Sequence, residues 1–457
     1  MKRAESINSI QPSIQDHYVR LRNTTQGLGD LGCIGAAAHG GVRLAAALAA
    51  DSRVAPGTLE LTAVSPSSMA AQSPDLAIGP DGSINIVWLG ENTAPPNAAQ
   101  IAARGHSHDS STSLYFARST DGGRSFSSPQ QVNRGKGDVW GFSISKPRIA
   151  ISEGGVIHIL YPGNARNATT GENETVALYA RATSDRLVFE TPRRLNVDAL
   201  TDALTKDDGG SFATIITGPQ QQVYAAWIDT RTMTSGETAR AALTISHDDG
   251  KTFSPDFEIL PSMVCPCCQL SSVVDSQGRL ALGIRLVDGK YRDNEIVVFS
   301  DQGRRLDSRR RVAGARWELE GCPRKPTAIA VRDNQWATAF YAGAERPDGV
   351  YTAWSNDGGN TWSVPRALHP EATRSDAPTL VFGGRRLFVV WQARLDAGDY
   401  RLFASVSDDG GQNFSEPTIL PIPGGVARLP TIAAHTDGSI QVAWQQDRSI
   451  MTLRWRP

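Results

Sequence analysis

The chain has 457 residues, with 46 Lys plus Arg against 47 Asp plus Glu and a formal net charge of −1. No long block of one sign appears, so neither nucleic acid nor an anionic membrane surface is an expected partner, and no apolar run reaches the ~18 residues of a membrane span. Gly at 43 and Pro at 26, among many short β-rich runs, suit an all-β protein.

Residues 34–50 come nearest to a span, and His39 and Arg43 interrupt them. The small-residue run from Leu44 to Ala50, preceded by Arg43, reads as the end of a secretory signal with an Ala-x-Ala-like site. It points to the periplasm or the exterior, with the cytoplasm left open. The polar lead from Met1 to Asp30 is not how a signal peptide begins. Residues 1–56 are therefore expected to be a disordered arm or a signal-like segment, and residues 57–457 a single domain. Cys33 follows Asp30-Leu31-Gly32 without the apolar stretch of a lipoprotein box.

From about Gly57 a unit recurs. A short strand, often opened by proline, is followed by a turn and an alternating strand ending in an aromatic or apolar pair. The first strands include Pro74 to Ile78, Pro147 to Ile151, Pro326 to Ile329, Pro378 to Val381 and Pro430 to Ala433. Proline fits there because a first strand residue need not donate to the ladder. The second strands are Ser83 to Leu89, Val156 to Tyr161, Gln222 to Ile228, Arg279 to Arg285, Gln335 to Tyr341, Arg386 to Trp391 and Ser439 to Trp444, seven in all. A third strand follows each. The seventh unit stops after its third strand, and Thr58 to Val64 is the natural missing one. Seven units of about 57 residues hold four strands each and predict a seven-bladed β-propeller, closed by pairing the N-terminal strand with the last blade. A six-bladed ring is the alternative.

Third strands lead into a turn with the grammar Ser-x-Asp-x-Gly-x-(Thr/Ser)-aromatic. It stands at Ser119 to Phe126, Ser246 to Phe253 and Ser355 to Trp362, and at Ser407 to Phe414 with Asn413 in the hydroxyl slot. Glycine supplies positive φ, the carboxylate binds N–H groups across the turn, and the aromatic plugs the turn onto the sheet. A turn used four times is structural, not four active sites. These turns resemble the Asp-box of the sialidase-like propellers, whose rings have six blades.

Three cysteines precede the innermost strand of unit four, Cys265-Pro266-Cys267-Cys268, and Cys322-Pro323 precedes that of unit five. In a propeller those connections lie side by side at the channel mouth. A disulfide from Cys322 to one of the three, a bond between Cys267 and Cys268, a redox-active dithiol and a soft-metal site are all open. Cys-x-Cys-Cys is not a zinc-knuckle spacing, and thiolates favour copper(I) or zinc. We expect Cys265, Cys267, Cys268 and Cys322 as metal ligands, with copper(I) preferred. With Tyr291 to Ile296 and Trp317 to Pro323, these residues resemble a subgroup of bacterial sialidase-like Asp-box proteins.

Sialidases hold the substrate carboxylate with three arginines, the first in Arg-Ile-Pro of blade one, where this chain has Gln72-Ser73-Pro74. The resemblance therefore implies little turnover of sialosides. Arg324, Arg428 and Lys146 make a cationic mouth, and Asp229 with Arg231 follows a second strand. Asp229, Arg231, Arg324 and Arg428 are the candidate catalytic or ligand-binding residues for a glycan or small anionic ligand. A glycoside hydrolase or glycan-binding protein whose cysteines only form disulfides is the alternative to metal binding. His106 and His108 lie in a polar loop and are expected to be solvated. A monomer is expected.

Overall fold

The computed structural model describes residues 58–91, 112–135, 137–141, 144–166, 173–196, 210–229, 239–260, 263–312, 317–321, 323–343, 347–396 and 398–456. The described residues form seven four-stranded antiparallel sheets, each running inner to outer in chain order except the last. In that blade the outermost strand is Thr58–Ala63, paired from Thr58↔Arg456 to Ala63↔Met451. The seven-bladed expectation holds, and the ring closes where the sequence placed the join. Inner strands contact their neighbours in order, blade seven against blade one.

The second strand of each blade is buried on both faces because a neighbouring blade covers each side. Trp88, Trp227, Trp391 and Trp444 sit on these strands with no solvent exposure. Their rings fill the space between blades, which explains why the sequence repeats an aromatic near the end of that strand rather than alternating apolar with polar. Blade four departs from the pattern, with Ile284 and then Arg285 at the end of Leu280–Arg285.

At the channel mouth the inner strands are bent. The ladders slip between Gln72 and Asp75, Ser211 and Thr214, Asp376 and Thr379, and Arg428 and Thr431. Each slip contains a non-glycine residue with positive φ: Ser73 at 56°, Phe212 at 52°, Ala377 at 48° and Leu429 at 53°. These are bulges that re-aim the preceding side chain. They set Gln72 and Arg428 toward equivalent positions of the mouth.

The four turn motifs have the geometry expected of them. Asp357 Oδ1 accepts from Ser355 Oγ at 2.7 Å and Thr361 N at 2.9 Å, and its Oδ2 accepts from Thr361 Oγ1 at 2.7 Å. Asp121, Asp248 and Asp409 repeat this, with Asn413 Nδ2 donating at 2.8 Å in the fourth. Gly359 has φ +83°, and a Cβ there would stand 2.7 Å from the Trp336 ring, so only glycine fits. Phe126, Phe253, Trp362 and Phe414 pack against the cores between blades.

Candidate functional site

The cysteine loop is stitched between blades three and four. Val264 N donates to Ala239 O at 2.8 Å, Cys265 N to Arg285 O at 2.9 Å and Leu270 N to Phe212 O at 3.0 Å. The Gln269 side-chain amide donates to Ala213 O. Between these anchors the chain turns back on itself, with Cys268 N donating to Cys265 O at 3.4 Å. Pro266 holds the second position of that turn, where its fixed φ is favourable.

The turn gathers the sulfurs. The Sγ atoms of Cys265, Cys267 and Cys268 all lie within 4.8 Å of one another. Cys265 and Cys268 are 2.8 Å apart, and Cys265 and Cys267 4.0 Å. Cys265 and Cys268 are not disulfide-bonded and are 1% and 2% exposed. Cys267 is disulfide-bonded, with its partner outside the described residues, as Cys322 itself is. Its sulfur can join a metal only after reduction.

Cys265 and Cys268 are electrostatically unequal. Burial pushes Cys268 up. The hydrogen bond with Cys265, the Arg285 guanidinium and the backbone N–H groups of Lys325 and Arg324 outweigh it and hold Cys268 at about 7. The hydrogen bond with Cys268 and burial push Cys265 well above the thiol range. The surroundings therefore favour a negative charge on Cys268 and disfavour one on Cys265. The N–H groups of Arg324 and Lys325 belong to the blade-five connection, so the loops of blades four and five do meet at this sulfur.

Arg285 is the residue that sequence reading passed over, counting it only as the end of a strand. It is 2% exposed and makes no ion pair with a carboxylate among the described residues. Its Nη1 donates to Arg292 O at 2.8 Å and its Nη2 to Tyr341 O at 2.9 Å. Its Nε has no hydrogen-bond partner, and its guanidinium carbon lies 5.1 Å from the centre of the Trp317 ring. The available signal was a charge at a register position filled by Leu89, Ile228, Gln392 and Gln445 in other blades. Trp317 is brought in by pairing of Tyr291 with Glu318 and by Arg292 N donating to Trp317 O at 2.9 Å. The separated motif segments thus converge around one site.

The other predicted residues are dispersed. Asp229 ends the second strand of blade three, 8% exposed and opposite Arg240. Arg324 and Arg428 are exposed on blades five and seven, Arg428 5.0 Å from the Tyr400 ring centre. Gln72, Cys268, Arg324 and Arg428 each stand three residues ahead of an equivalent ladder pair, Asp75↔Val87, Ser271↔Gly283, Thr327↔Phe340 and Thr431↔Ala443. Lys146 is not an open mouth cation. It is buried, its Nζ donating to Pro74 O at 3.0 Å and lying 3.5 Å from Asp75. Burial, against the attraction of Asp75, lowers its pKa to about 8. Arg231, His106, His108 and residues 1–56 lie outside the described residues. The channel below holds about 500 Å³. Among the described residues no helix is long and apolar enough to cross a membrane.

Residues 215–442 match the family model of the BNR repeat-like domain. No curated protein matches the chain in sequence. Among solved structures it is similar to a protein of unknown function from Dyadobacter fermentans, at 15% identity over 76% of this chain and 98% of that one, TM-score 0.51. It is similar also to an ulvan lyase of a polysaccharide lyase family, at 14% identity over 83% and 94%, TM-score 0.53. The intramolecular trans-sialidase of Ruminococcus gnavus aligns at 12% identity over 84% and 94%, TM-score 0.44. At these identities the solved structures speak to the fold alone.

Proposed function

We propose, from the premise that this chain is a sialidase-like β-propeller with BNR-type repeats, that its blade-four mouth is a soft-metal thiolate site working outside the cytoplasm. Cys265 and Cys268 are the resident ligands, joined by Cys322 and, once its disulfide is reduced, by Cys267. The observation that carries this reading is three sulfurs within 4.8 Å, two of them buried and not disulfide-bonded. A metal–sulfur bond of about 2.3 Å in a tetrahedral shell sets sulfurs about 3.8 Å apart. The Cys265–Cys267 separation of 4.0 Å already meets that, and Cys265 and Cys268 have to part by about 1 Å from their 2.8 Å contact. Copper(I) is preferred to zinc. Structural zinc takes four ligands in Cys/His sets of other spacing, whereas thiolates are the soft donors that select copper(I). Arg285 supports the charge of a bis-thiolate. The disulfide at Cys267 favours an oxidising compartment.

The test is metal analysis of protein purified anaerobically with reductant, beside a thiol count. One equivalent of copper(I) or zinc, lost in Cys265→Ser and Cys268→Ser and weakened in Cys267→Ser and Cys322→Ser, supports the site. Reduced protein that stays metal-free in the presence of copper(I) overturns it.

The exposed Arg324 and Arg428, the latter against Tyr400, favour a second role for the mouth, binding a glycan or small anionic ligand without sialoside turnover. Gln72 cannot supply the bidentate contact that an arginine gives a carboxylate. Turnover of a sialoside reporter contradicts this. Loss of ligand binding in variants at Asp229, Arg231, Arg324 or Arg428 supports it.

A further inference from the structure

Cys265 and Cys268 are separated by two residues, and the turn that joins them sets their sulfurs on the same side, 2.8 Å apart. A disulfide bond is about 2.05 Å long, so closure asks for less than about 1 Å of movement. The loop is anchored on both sides by backbone bonds to Ala239, Arg285 and Phe212. Closing the pair therefore leaves those anchors in place. Cys267, between them, is disulfide-bonded. The pair itself is left as thiols.

We infer that Cys265 and Cys268 are a two-electron dithiol–disulfide couple whose co-reactant is a low-molecular-weight disulfide. Both sulfurs are buried, at 1% and 2% exposure, which closes the pair to a bulky protein disulfide. In the first step one of the two sulfurs, as its thiolate, attacks one sulfur of the small disulfide. A mixed disulfide forms, the small S–S bond breaks, and one small thiolate leaves. In the second, the other sulfur loses its proton and attacks the protein sulfur of the mixed disulfide, expelling the other small thiolate and forming the Cys265–Cys268 bond. Counted from the fully protonated dithiol, the protein gives up two electrons and two protons, and the small disulfide becomes two thiols. The inference goes beyond the metal reading and rests on it only for one consequence: the oxidised pair has no thiolate left to hold an ion.

The experiment uses the full chain, metal-free, equilibrated in buffers of rising oxidised to reduced glutathione, then acid-quenched, alkylated and mapped by mass spectrometry. The expected result is that both thiols disappear together in one transition, with a peptide carrying an internal Cys265–Cys268 bond. Cys265→Ser and Cys268→Ser should each stall at a stable glutathione adduct on the remaining sulfur. Thiols that stay free at the most oxidising ratio overturn the couple. So do two separate glutathione adducts, or exchange into the Cys267 disulfide without a Cys265–Cys268 bond. Metal binding is measured separately on the reduced protein, so its failure is distinguishable from failure of the couple.

Discussion

Two parts of the channel mouth bury charge in opposite ways. Where blades one, two and seven meet, Asp75 takes Lys146 at 3.5 Å, Arg148 at 3.4 Å, Ile149 N at 3.0 Å and Thr431 Oγ1 at 2.9 Å. Both cations there face one fixed carboxylate, and the cluster ties the first blade to its two neighbours. Between blades four and five, Arg285 is buried just as deeply, yet its counter-charge is the sulfur of Cys268 rather than a carboxylate. A closed cluster is committed to structure. One balanced by a titrating, oxidisable group can change state without the ring coming apart.

The largest effect expected from breaking that contrast is at the closed cluster. Asp75→Ala leaves Lys146 buried without its carboxylate, and denaturant unfolding should show a loss of about 3–5 kcal/mol; a loss below about 1 kcal/mol contradicts the account. At the open cluster the effect is on reactivity. Arg285→Met removes the guanidinium that helps hold Cys268 down. The pH profile of alkylation should move upward, and a rise of one pH unit cuts the thiolate fraction at pH 7 about fivefold. An unmoved profile shows Arg285 to be packing only.

Smaller effects belong to the outer turns. Asp357 is held at about 2 by hydrogen bonds from the Thr361 side chain and backbone and from Ser355. Its folded value lies below its unfolded value, so its contribution is present above about pH 4 and is lost as pH falls toward 2. Asp121 and Asp248 are also held at about 2. Melting temperature should therefore fall over that window, less steeply in Asp357→Asn. Removing the carboxylate costs on the order of 1 kcal/mol at pH 7, with no change in thiol reactivity.

The ring was legible because each repeat has to solve the same packing problem with the same residues: glycine at positive φ, an aromatic plug, proline opening the inner strand. The meeting of the blade-four and blade-five connections was legible from their matching repeat positions. Which sulfur carries charge was not, since that depends on Arg285 and on N–H groups of Arg324 and Lys325 that approach from another blade. Lys146 was misjudged for the same reason. Its partner Asp75 lies in the preceding repeat, and spacing along one unit carries no trace of it.

The most direct test of the central claim is X-ray absorption at the copper edge of protein reduced anaerobically and loaded with one equivalent of copper(I). The account predicts a shell of sulfur only, with Cys265→Ser and Cys268→Ser each losing it. A shell of nitrogen or oxygen, or a sulfur shell that persists in both variants, would contradict it.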